Sequence, residues 1–285
     1  MNGKDIFKQI MVKTISLIVI MSTNKIAIAT DTSLTSGTCG TNLTWFLDTS
    51  KETLTISGTG NMTDFTDESN YAPWYSYHNS IKKITISNGV TSIGHRAFID
   101  CTNLTSINLP DSIIKLGTGA FCNCTSLTSV KLPNNLTSFS ILTFSDCIGL
   151  TSIDIPPSVI DMGTFTFNNC TGLTSVNILS TRIISFRAGT FRDCIGVTSI
   201  KLKGAIPFTN LAFAPCKALK HFTYGGISEP QGVGTLVLSS DCPLKVVDVP
   251  RNYKNSTFCG MPIRRIPATV NCKPKVFNNL NRIFL

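Results

Sequence analysis

Histidine occurs three times and tryptophan twice in this 285-residue chain, so little material exists for chemistry built on imidazole. His78, His95 and His221 have no nucleophile or carboxylate at a motif spacing. There is no Gly-rich phosphate loop and no nucleophile elbow. Charged side chains make up 14% of the chain, against the usual ~25%, which argues against a charged disordered tail or a coiled coil. No segment is apolar for long enough to cross ~30 Å of hydrocarbon, and no motif that reads RNA or DNA is present. These absences predict no catalytic residue, no cofactor, no nucleic-acid partner and no stable membrane span in the mature chain. Apolar residues reach 42%, enough for a core, while 64 Ser and Thr with 22 Asn supply a polar but weakly charged surface.

The amino terminus reads as a secretory signal peptide. Lys4, Lys8 and Lys13 precede the apolar run Ile15 to Met21, and Ala27-Ile28-Ala29 offers a small-x-small cleavage site before Thr30. Asn24 and Lys25 interrupt the run, which is too short for an anchor. Residues 1–29 are expected to leave, and the mature protein to be secreted or at the cell surface. Charge is uneven: residues 30–200 hold 9 basic and 12 acidic residues, whereas residues 201–285 hold 12 basic and 3 acidic. A basic end can meet polyanions such as glycans or acidic membranes. The blander reading is a solvated cap.

One phrase then repeats six times. Phe98-Ile-Asp-Cys101-Thr-Asn-Leu104-Thr-Ser-Ile107-Asn-Leu109-Pro110 recurs from Phe121, Phe144, Phe167, Phe191 and Phe213, with decay towards the end. Its cysteines, 101, 124, 147, 170, 194 and 216, lie 23, 23, 23, 24 and 22 residues apart. A period in this range marks a solenoid of stacked supersecondary units. Ile107-x-Leu109 alternates as a short strand does, and Pro110 ends it. A second extended piece follows at Ile113-x-x-Leu116, then a turn at Gly117 (Gly94 and Gly163 in other coils) and a tight, short helical turn leading to the Cys. The predicted fold is β-rich, with one main strand and one second short extended segment per coil, parallel from coil to coil.

One Cys per coil at constant phase fits a small buried filler better than a metal or redox site, and the spacings do not make zinc-ligand pairs. No metal site is expected. Cys39, Cys242, Cys259 and Cys272 lie outside the ladder and are disulfide candidates in an oxidising compartment. Asp100, Asp146 and Asp193 recur one residue before their Cys; a carboxylate row can bind a cation, but turn formation explains it more simply.

The flanks read as caps, so residues 30–80 form a leader, 81–225 the solenoid and 226–285 a degenerate repeat with a terminal cap. Residues 39–60 suggest a hairpin, Leu43 to Leu47 and Leu54 to Ile56 around Asp48 to Glu52. The cluster Pro73-Trp74-Tyr75-Ser-Tyr77 suits a plug over the first coil or, alternatively, a carbohydrate platform.

The phrase Phe-x-x-Cys-x-x-Leu-Thr-Ser-Ile/Val-x-Leu/Ile-Pro, with Val90-Thr-Ser-Ile-Gly94, resembles BspA-type leucine-rich repeats of bacterial and protist surface proteins. The leader from Ser36 to Tyr75 is similar to the domain that often precedes them, so the resemblance covers residues 36–225. It implies a leucine-rich-repeat solenoid without enzymatic activity that binds proteins at the cell surface, commonly as adhesion to host cells or extracellular matrix. A carbohydrate-binding module and, should residues 1–29 not be a signal peptide, an intracellular scaffold are the competing readings.

The candidate binding face is the outward strand row Thr85, Asn108, Lys131, Asp154, Asn177, Lys201 and Thr223. Beside it runs a hydroxyl ladder from Thr105-Ser106 to Thr198-Ser199, which either frames the face or merely suits strand propensity. Seven Asn-x-Ser/Thr acceptors, at Asn42, Asn61, Asn103, Asn123, Asn135, Asn169 and Asn255, are close to the number chance gives.

Overall fold

A computed structural model describes residues 34–66, 70–184, 186–205, 212–215, 217–230 and 242–267. Residues 1–33, which include the expected signal peptide, together with Cys216, Cys272 and the chain beyond residue 267, lie outside the described residues.

Seventeen short strands make up the described chain. The amino-terminal part holds β1 (Leu34–Gly40), β2 (Leu43–Asp48), β3 (Thr53–Gly58), β4 (Gly60–Asn61), β5 (Lys83–Ile86) and β6 (Val90–Ile93). The middle holds β7 (Ser106–Asn108), β8 (Lys115–Leu116), β9 (Ser129–Lys131), β10 (Ser138–Phe139), β11 (Ser152–Ile155), β12 (Ser175–Ile178) and β13 (Ser199–Leu202). Strands β14 (His221–Tyr224), β15 (Val247–Pro250), β16 (Thr257–Phe258) and β17 (Met261–Ile266) complete the set.

Within each hydrogen-bonded piece the main strand of a coil pairs in parallel with its equivalent in the next. Ser106 lies opposite Ser129, Ser152 opposite Ser175, Ser175 opposite Ser199 and Ser199 opposite His221. The rungs fall into three hydrogen-bonded pieces, β1-β2-β3-β5, β7-β9 and β11-β12-β13-β14-β15-β17-β16. The Thr151 N–H, donating to the Thr128 carbonyl at 3.3 Å, joins the second piece to the third. The second segments form their own parallel sheet, β4-β6-β8-β10, continued by a bridge from Ser138 to Asp161. The one 24-residue interval does not disturb the register. Its additional residue lies between Ile178, still 23 residues past its partner Ile155, and Ile184, whose N–H reaches the Ile160 carbonyl.

Why these residues adopt strands follows from burial. In β11 the order is exposed, buried, exposed, buried for Ser152, Ile153, Asp154 and Ile155. Alternation of this kind puts every second side chain into the interior. Gly117 is required by close approach: a Cβ there would sit 2.6 Å from the backbone of Gly94 and of His95 in the preceding coil.

The segments leading to each Cys are hydrogen-bonded turns rather than the expected short helical turns. Arg96 and Asp100 have φ of 52° and 61°, and the equivalents in later coils, such as Leu142 and Asp146, repeat this. Left-handed residues break a right-handed helix and turn the amides along the solenoid axis. Accordingly the N–H groups of Arg96, Phe98 and Asp100 donate forward to the carbonyls of Thr118, Ala120 and Cys122, at 2.8, 2.9 and 2.9 Å. The one helix among the described residues is a 3-10 helix, Tyr75–Ser80.

Two side-chain columns fill the interior beneath these turns. Phe98, Phe121, Phe144, Phe167, Phe191 and Phe213 stack ring over ring, with centroids 5.1 to 5.5 Å apart. From Phe121 onward neighbouring planes lie within 4° of parallel. Trp74 closes the stack, 5.7 Å from Phe98, and its indole N–H donates to the Ala97 carbonyl at 2.8 Å. Trp74 is thus the plug of the aromatic cluster. Tyr71, Tyr75 and His78 instead stack on one another at the surface, half-buried.

At the leading end, β1, β2 and β3 form an antiparallel unit, β1 being a strand the sequence pattern does not announce. Asp48 holds the β2–β3 turn by accepting from the Ser50 hydroxyl and the Lys51 N–H. Strand β3 then pairs in parallel with β5, so this unit continues directly into the first coil. At the far end β17 stacks in parallel on β15 and folds back as a hairpin with β16.

Candidate interaction surface

The seven outward positions occupy one row. Asp154, Asn177, Lys201, Thr223 and Asp248 are successive partners in register, as are Asn108 and Lys131. Thr85, Asn108, Lys131, Asp154 and Lys201 are exposed, and Asn177 and Thr223 are half-buried. Within the row the Asn177 amide donates to Asp154 Oδ1 at 2.8 Å. The structure lengthens the row at both ends, with Thr55 opposite Thr85 and Arg264 opposite Asp248. Asp248 was legible from the Val247-Asp248-Val249-Pro250 phrase, which repeats the strand pattern; Arg264 lies in a segment with no repeat signal.

The adjoining threonines have a structural task. The hydroxyls of Thr128, Thr151, Thr174 and Thr198 each donate to the carbonyl of the threonine one coil back, at 3.0, 3.3, 3.0 and 3.1 Å. A hydroxyl engaged in this way holds coils together and is less available to a partner. The serines beside them, from Ser106 to Ser199, remain on the surface without this bond in their coils.

The thiol column is interior. Cys101, Cys124, Cys147, Cys170 and Cys194 are buried. The last four donate to the carbonyls of Phe98, Phe121, Phe144 and Phe167, 3.0 to 3.3 Å away in the preceding coil. Burial pushes the Cys101 thiol up to about 12, so it stays protonated and unreactive at neutral pH. Cys122 is the half-buried member of the close pair with Cys124. Among the described residues Cys39 and Cys242 make no disulfide, and Cys272, the other candidate beyond the ladder with Cys259, lies outside them. Cys39 is buried in the β1–β3 unit, where desolvation lifts its thiol to about 11.

The recurring acidic positions before each Cys are left-handed turn residues. Asp100, Asn123, Asp146, Asn169 and Asp193 all have φ between 56° and 61°, a region that Asp and Asn tolerate. The Asn123 and Asn169 amides donate to Asp100 and Asp146 at 2.8 and 2.9 Å, so two of the Asp carboxylates are engaged by neighbouring coils. Among the described residues no group of three or more His, Cys, Asp or Glu is placed to hold a metal ion. The histidines are dispersed. His78 stacks on Tyr75, His95 lies 3.8 Å from Asp64 and His221 is exposed in β14. No helix among the described residues is long and apolar enough to cross a membrane.

Comparison with known proteins agrees with this architecture. A leucine-rich repeat protein of T. pallidum superposes with a TM-score of 0.50 at 24% identity, covering 64% of this chain and 91% of that one. A leucine-rich repeat protein from Eubacterium ventriosum gives a TM-score of 0.43 at 18% identity, covering 82% and 85%. A search of curated proteins finds no match. The family described as the BspA type leucine rich repeat region matches in six copies, over residues 70–194 and 142–259. Since that match spans more than half of the chain, the chain belongs to the BspA-type leucine-rich repeat family.

Proposed function

We propose that this is a non-enzymatic, exported protein whose outward strand row binds a protein partner at a cell surface, with adhesion to host cells or extracellular matrix as its biological use. Residues 1–29 act as the export signal, and residues 30–80 and 226–285 close the two ends of the solenoid formed by 81–225. The observation that carries the reading is a division of labour on one sheet. The threonine hydroxyls at constant positions are used between coils, whereas the row at Asn108, Lys131, Asp154, Asn177 and Lys201 changes chemistry from rung to rung and faces outward. A flat face of varied side chains on a rigid, repetitive frame is how solenoids commonly recognise partners. Family membership supports the same class of function.

The test uses the full chain and the triple variant Lys131→Ala, Asp154→Ala, Lys201→Ala. Binding to host-cell surfaces and to immobilised fibronectin, fibrinogen, laminin and collagen is measured for both. The triple variant is expected to lose at least roughly tenfold in affinity for whichever surface the parent binds, with its thermal midpoint unchanged. Full retention of binding removes this face from consideration.

A further inference from the structure

We propose that the carboxyl-terminal end of the same sheet carries a second site, a cationic groove that takes a linear sulfated polysaccharide. A groove of about 220 Å³ opens there, lined by Lys220, His221, Lys245, Asp248 and Arg264 over the buried ring of Phe222. It adjoins the far end of the outward row, sharing Asp248 and Arg264 with it, while its lysines lie in the threonine ladder beside that row; it does not depend on protein binding by the central positions.

The threonine ladder explains why this groove is unusual. Thr198 is the last threonine of that ladder, and the Lys220 N–H reaches its carbonyl at 2.9 Å. Carrying the β14–β15 register, Phe222 opposite Val247, two residues back places Lys220 beside Lys245. Two exposed ammonium groups therefore replace two coil-joining hydroxyls on adjacent rungs, about 4.8 Å apart. Like charges so placed destabilise a sheet. Among the described residues neither lysine has a carboxylate partner. The one carboxylate in the groove, Asp248, is taken in a two-pronged contact by Arg264, at 2.6 and 2.8 Å. An arrangement that weakens the stack and leaves positive charge uncompensated is suited to an anion from outside.

The chemistry of the groove selects the ligand. Bases need exposed aromatic faces, and Phe222 is 1% exposed, so nucleic acid is not accommodated by stacking. A membrane engages several projecting apolar side chains, whereas Val246 is the one exposed large apolar side chain in this lining, among two lysines and an arginine. A linear chain bearing sulfates at intervals can lie in the groove and place one anion between neighbouring lysines.

The experiment measures binding of the full chain to heparin in solution and on a column, with hyaluronan, neutral dextran, phosphatidylserine vesicles and oligo-dT as parallel probes. Binding to heparin that weakens with salt is expected, exceeding that to every other probe. The variant Lys220→Thr, Lys245→Thr restores the ladder residues; it should weaken heparin binding at least roughly tenfold while its thermal midpoint holds or rises. Lys220→Gln, Lys245→Gln serves if the threonine variant folds poorly. The control Lys83→Thr, Lys115→Thr removes equal charge from exposed strand positions elsewhere and should retain binding, as should the triple variant of the central row. The proposal is overturned by undiminished heparin binding in both lysine variants, by equal loss in the control, or by preference for vesicles or oligo-dT.

Discussion

At the scale of the residue, cysteine in this protein behaves as a small apolar side chain with one useful proton. Cys124 illustrates it: its Sγ–H meets the Phe98 carbonyl at 3.3 Å, and its surroundings exclude water. The consequence is a direction of pH dependence. A thiol whose folded value lies above its ordinary value favours the protonated, folded form. Its contribution is fully present below the ordinary value of 9.0 and is lost as pH rises towards about 12, the value for Cys101. Urea-unfolding midpoints should therefore fall between pH 9 and 12, and Cys101→Ala should make that fall shallower. A slope identical to the parent's would show that the thiol is already solvated in the folded state.

At the scale of the element, the coil is held by rows that each use one phase of the repeat. The strand row was legible because period-two alternation and the 23-residue period agree, as in Ile107-Asn108-Leu109. The cysteine row was legible for the same reason. What could not be read was anything set by backbone direction. The left-handed φ of Arg96 and Leu142 has no side-chain signature, so the sequence pattern of a turn that donates forward along the axis is the same as that of a short helical one. Strand β1, Leu34 to Gly40, contains two glycines and little alternation, and it forms because β2 offers an edge. The Lys220–Lys245 pairing was hidden because the repeat decays there. Its meaning depends on the register of β14 with β15.

The phenylalanine column gives the element-scale prediction. Phe144 is fully buried between Phe121 and Phe167, at 5.1 and 5.5 Å. Phe144→Ala should cost about 3–5 kcal/mol by urea denaturation, because the cavity opens against two neighbouring coils. Ile148→Ala, at a position 44% exposed, should stay within about 0.5 kcal/mol of the parent. Equal effects at the two positions would mean that the aromatic column does not organise the core.

At the scale of the whole molecule, the account rests on interdependence. Each buried side chain contributes about 1.5–3 kcal/mol, and ordering each residue opposes it by about 1–2 kcal/mol for the backbone alone. A coil whose threonine, cysteine and turn amides all bond to neighbours has no independent reason to fold. The described ends fit this picture: Trp74 covers the first phenylalanine, and the β16–β17 hairpin packs on the last described rungs. The same continuity presents one long outward face, uneven in charge, with mixed residues along its middle and a basic groove at its far end.

The most direct measurement is calorimetry on the chain from residue 30 to 285 beside a two-coil fragment, residues 98–143. The longer chain should melt in a cooperative transition, and the fragment should show no heat-absorption peak and a far-ultraviolet spectrum of unordered chain. A cooperative melting peak in the fragment would contradict the account, since a coil pair would then be stable without the rungs above and below it.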